Sequence, residues 1–197
     1  ANVSAIYQSS LTIVSGDNSQ LDLYTYSANH SFEEGKEFEI NRVEVKQGGR
    51  LFVTARNPLV SESIELDAKE SGGVVVEIFE KTEGKERNKA PIRVSDEFVY
   101  KSGSLVVKGP LEDDPEGRWN IIDGKVTNED DLAKNTFLSI GGLTRTNYKF
   151  EGLDAPIYGP AMFKGYLEEG SLDLVIEAKS PQELQCQVDP NDCSIDL

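Results

Sequence analysis

The chain has 197 residues, 38% of them hydrophobic, and a formal net charge of −15. That length admits one domain or two small lobes, and a core of ordinary size without metals or dense disulfides. The charge excludes nucleic acid as a partner, because no basic stripe is present to displace phosphate counterions. It disfavours anionic lipid, and no stretch approaches the ~20 apolar residues of a membrane span.

Residues 3–26 alternate apolar and polar in two runs, with Ser15, Gly16, Asp17 and Asn18 between them as a turn. The pattern predicts a hairpin. A polar loop follows, from Ser27 to Lys36. Residues 37–126 then carry four related phrases, each a β-prone stretch, a glycine turn and a second β-prone stretch. Their turns centre on Gly49, Gly73, Gly103 and Gly124. Val, Ile, Phe and Tyr suit a pleated, half-buried surface, and glycine permits the positive φ of a tight turn. The glycines recur irregularly, about 20 to 30 residues apart. Stacked rungs of a β-solenoid fit this spacing. So do successive hairpins of an antiparallel sandwich, with Asp123–Gly124 as a primed turn.

Thr82 to Ala90 reads as a charged loop, and Leu111 to Gly117 as a break between lobes. Asn128 to Asn135 predicts one short helix with Asn128 as its cap and Glu129, Asp130 and Asp131 at its positive end. Strand-like stretches follow at 136–140, 147–150 and 172–178. The segment from Gly152 to Tyr166, rich in Gly, Pro and aromatics, reads as a long surface loop, and residues 180–197 as a polar, acidic tail. The expected class is therefore all-β, with solenoid-like or antiparallel sandwich strands and few or no helices. The expected lobes are 1–112 and 113–197, with a single domain as the alternative.

Few residues point to chemistry. The two cysteines, Cys186 and Cys193, bracket a turn-forming sequence and are expected to form a local disulfide contributing about 2–3 kcal/mol. A zinc site lacks ligands, since His30 is the sole histidine. The same shortage argues against a Ser-His-Asp or Cys-His nucleophile system. Two sequons, at Asn2 and Asn29, are compatible with glycosylation. The start at Ala1 agrees with a processed secretory precursor or a trimmed chain. No cofactor is expected. Calcium is the one metal that Glu112, Asp113, Asp114 and Glu116, or Asp189, Asn191, Asp192 and Asp196, could attract, although neither set has EF-hand spacing. The glycine doublets lie between strands with no helix behind them, so they are turns and not phosphate cradles. Trp119, Tyr158 and Tyr166 are candidates for stacking on a glycan. The alternation of Trp119 with Ile121 points the tryptophan toward the core instead.

From Arg118–Trp119–Asn120–Ile121–Ile122–Asp123–Gly124, followed by Phe137–Leu138–Ser139–Ile140–Gly141–Gly142, the chain resembles the yeast-form wall protein family. The likeness is one of phrase style and spans about residues 5–180. It implies an extracellular, largely β protein without catalytic residues, linked to fungal wall surface properties and to adhesion or its suppression. The chain departs from that pattern in having no Ser/Thr-rich stalk and no hydrophobic tail for a lipid anchor, which suggests a released protein or an excised domain. The expected function is a non-enzymatic secreted or cell-surface protein that modulates wall adhesion, with cell-wall glycan or a second copy of itself (a homodimer) as partner. The alternative is a polysaccharide-active enzyme that uses acidic side chains on a β-solenoid.

Overall fold

Strands dominate because most segments place an apolar residue at every second position. The computed structural model describes residues 8–24, 35–69, 71–79, 90–109, 117–139, 148–150, 161–162, 166–168, 171–178, 180–182 and 185. The elements are β1 (Gln8–Ser15), β2 (Gln20–Leu23), β3 (Phe38–Lys46), β4 (Arg50–Thr54), β5 (Leu59–Asp67), β6 (Gly73–Glu77), β7 (Ile92–Ser102), β8 (Ser104–Lys108) and β9 (Gly117–Thr127). They continue as α1 (Glu129–Lys134), β10 (Thr136–Ser139), β11 (Tyr148–Phe150), β12 (Ala161–Met162), β13 (Tyr166–Glu168) and β14 (Ser171–Ala178).

Successive strands from β1 to β10 alternate between two sheets. One sheet has the order β1-β3-β5-β7-β9-β14-β11, with β13 also on β14; the other has the order β12-β10-β8-β6-β4-β2. Neighbours from β1 to β9 and from β2 to β10 run parallel. Strands β14, β11, β13 and β12 close the sheets antiparallel.

This arrangement corrects the expected fold class. Parallel ladders rule out an antiparallel sandwich, and the antiparallel closing strands depart from a solenoid's uniform stack. The sheets are parallel-rich, as in α/β proteins, although strand residues far outnumber helical ones among the described residues. The predicted N-terminal hairpin is corrected too, because β1 and β2 lie in different sheets, each beside a later strand. Gly124 makes no hairpin turn. It lies inside β9 at φ +124°, opposite a register shift in β7, and a Cβ there would stand 2.3 Å from the Val94 carbonyl oxygen.

In-register rows build the core. Val43, Ile64, Phe98 and Val126 align across β3, β5, β7 and β9; Leu51, Val74 and Leu105 align across β4, β6 and β8, with Val53, Val76 and Val107 beside them. All are buried. Each such side chain contributes about 1.5–3 kcal/mol by leaving water. The proposed lobe boundary at 112/113 lies outside the described residues. Ladders join strands from either side of it, β7 to β9 and β8 to β10.

Charge lies on the outward face of the larger sheet. Lys46 pairs with Glu44 at 2.7 Å and Glu65 at 3.5 Å, Arg42 with Glu44 at 2.8 Å, and Lys101 with Glu65 at 3.1 Å. The Lys46–Glu65 and Lys101–Glu65 pairs bridge neighbouring strands, the two pairs to Glu44 lie along β3, and each contributes at most about 1 kcal/mol.

Candidate glycan-contact cleft

The corners between the sheets are stacked as closely as the strands. Gly48 N–H donates to Ala68 O at 2.7 Å, Ala68 N–H to Ser102 O at 3.1 Å, Ser104 N–H to Gly72 O at 3.1 Å, and Leu105 N–H to Asn135 O at 3.0 Å. The hydrogen bonding of the ladders therefore runs through the turns. Such stacking leaves no room for a side chain at Gly49, where a Cβ would lie 2.3 Å from the Val14 carbonyl oxygen, or at Gly72, where it would lie 2.5 Å from Gly49 O.

Along these corners runs an open cleft of about 880 Å³. Lys69, Tyr100, Lys101 and Ser102 line it together with Asp131, Asn135 and Phe137. The Ser102 hydroxyl donates to Asp67 Oδ1 at 2.8 Å and accepts from Lys69 N–H at 3.0 Å. The Tyr100 hydroxyl donates to Gly103 O at 2.9 Å, while Asn128 Nδ2 donates to Tyr100 O at 2.8 Å. Burial, and then the Asp131 charge, push the tyrosine hydroxyl above its ordinary range. Asp131 is itself paired with Lys134 at 3.0 Å, and its carbonyl accepts from Asn135 Nδ2 at 2.8 Å. Phe137 is half-buried and continues a row running through Phe52, Val75 and Val106 on the outward face of the smaller sheet. An aromatic edge among hydroxyl, amide, ammonium and carboxylate groups is suited to a polyhydroxylated ligand, whose ring faces are apolar and whose rim hydrogen-bonds.

The sequence-predicted site residues lie elsewhere. Trp119 is 6% exposed within the core cluster, so it offers no face to a sugar. Tyr166 opens β13, paired through Asp173 to β14. Tyr158, Asn2, Asn29, His30, Cys186, Cys193 and both acidic runs lie outside the described residues. Among the described residues, no group of three or more His, Cys, Asp or Glu side chains is placed to hold a metal. Sequence reasoning missed Tyr100, Ser102, Asp131 and Phe137 as cleft residues. The available signal was the serines beside the turn glycines, in Ser71–Gly72 and Ser102–Gly103–Ser104.

A buried polar cluster lies at the other side of the larger sheet. Asp173 accepts from Arg118 Nη1 at 3.1 Å and from Asn120 Nδ2, fastening β14 to β9. Both carboxylate oxygens accept in that fastening, Oδ2 from Arg118 and Oδ1 from Asn120. Comparison with family models, curated proteins and solved structures returned no match.

Proposed function

We propose that this chain is a non-enzymatic secreted or cell-surface protein that modulates how walls adhere, as its resemblance to the yeast-form wall protein family implies. It acts by physical means: a rigid, acidic, hydrated body holds neighbouring surfaces apart while the turn cleft makes weak contact with wall glycan. The observation that carries this reading is the segregation of charge. Inward rows are apolar, outward rows of the larger sheet carry the ion pairs, and the chain as a whole bears −15. Repulsion of this kind acts over about a Debye length, ~10 Å at 0.1 M salt and ~3 Å at 1 M. Glycans on Asn2 and Asn29 would thicken the hydrated layer.

The test is the clustering of wall particles with and without added protein across ionic strength. The expected result is dispersal at low salt that fades toward 1 M. No effect at any salt would remove the spacing role. For the cleft, retention on insoluble wall glycan is expected to fall several-fold in a Lys101→Ala, Asn135→Ala double variant. Unchanged retention would remove the cleft from the account.

A further inference from the structure

We infer that β1 is a homotypic pairing edge, which joins two copies of the chain by antiparallel β1–β1 addition. This deepens the self-association reading by naming its surface, and it does not depend on glycan binding. β1 ends the larger sheet, and among the described residues no strand pairs with its outer side. An open edge of this kind templates another strand, and proteins ordinarily block it with charge, proline or brevity. β1 uses none of these devices. It is eight residues long, QSSLTIVS, without charge or proline. The partner strand β3 holds it by a parallel ladder from Gln8 to Ser15, so the edge is built.

A second copy is favoured over another partner by the strand's own symmetry. Antiparallel pairing about a twofold axis at Thr12 sets Leu11 opposite Ile13, Ser9 opposite Ser15 and Thr12 opposite itself. Leu11 and Ile13 are 49% and 55% exposed, the exposed large hydrophobics among the described residues. In register with them on β3 stand Arg42 and Glu44, whose charges offset each other. A molecule carrying −15 is repelled least by its own kind at a locally neutral patch, and this edge is one. Behind β1 a cleft of about 290 Å³, lined by Val14, Leu21, Leu23 and Ile40, opens at the same end and would be covered by the pairing.

Sedimentation velocity of the whole chain from micromolar to millimolar concentration tests this, at 0.05, 0.15 and 0.5 M salt. The expected result is a dimer that strengthens at least several-fold with salt, as screening removes the general repulsion. Leu11→Lys and Ile13→Lys, made separately, are each expected to weaken it tenfold or more. Ile13→Thr keeps a β-branched residue and is expected to weaken it less. Thermal melts verify that the variants fold. A chain monomeric under every condition overturns the inference and leaves the edge to a segment of its own chain or to a foreign strand. A dimer indifferent to all three substitutions overturns it as well. Neither outcome bears on particle spacing, which has its own readout.

Discussion

The two ends of the larger sheet are finished in opposite ways. At one end β14 returns antiparallel on β9, Asp173 locks the pair through Arg118 and Asn120, and the outermost strand, β11, is three residues long. The smaller sheet stops on that side at β12, two residues long. At the opposite end the larger sheet stops at eight uncharged residues with Leu11 and Ile13 facing water. A long uncharged edge strand invites pairing by another strand. The contrast shows that an acidic exterior does not protect every edge equally. Among the described residues, one end is fastened by the antiparallel return of β14 and the other is left open at β1.

The largest expected effect breaks the open end itself. Gly49→Ala forces a methyl group against the Val14 carbonyl, main chain against main chain, and is expected to cost about 3 kcal/mol or more in urea denaturation. Gly35→Ala is its control: at φ +82° with nothing within 4 Å, it should cost only about 1–2 kcal/mol. A smaller effect breaks the closed end. Asp173→Ala removes one acceptor from each of Arg118 and Asn120 and should cost about 2–3 kcal/mol, read in the same titration.

The outward ion row sharpens the comparison through pH. A hydrogen bond from Lys46 holds the Glu44 carboxyl below its ordinary 4.5, against burial and with help from the charges of Lys46 and Arg42. The same hydrogen bond raises Lys46 above 10.5. The Glu44 contribution is therefore present above the ordinary carboxylate value and lost as pH falls through the depressed one. The Lys46 contribution is present below 10.5 and lost as pH rises through the raised one. Glu97 is lowered similarly, first by the Thr127 hydroxyl. Glu44→Gln should flatten both limbs of the stability–pH curve measured by thermal melting. The smallest effect on stability is expected from Leu11→Lys, within about 0.5 kcal/mol, since the side chain is half in water.

Much of the local structure was legible. The alternation through Phe98, Val99 and Tyr100 marks the inward positions of β7, and that of Trp119 with Ile121 marks the tryptophan's burial. The helix expected from Asn128 to Asn135 forms at Glu129–Lys134. Asn128 caps it through its carbonyl, which accepts from Asp131 and Leu132 N–H, while its side chain reaches Tyr100 O. Strand direction was not legible, because a glycine corner between sheets and a glycine hairpin within one look alike in sequence. The cleft was hidden for a related reason. Lys69, Tyr100, Asp131 and Phe137 are distant along the chain and meet only because the corners stack.

Amide hydrogen exchange, followed residue by residue as protein concentration rises, tests the difference between the two ends most directly. The amides of residues 9–15 that β3 leaves unbonded should gain protection with concentration, lose that gain in Leu11→Lys, and leave β11 and β12 unchanged. Exchange in β1 that ignores concentration, or protection that grows at β11 instead, would contradict the account.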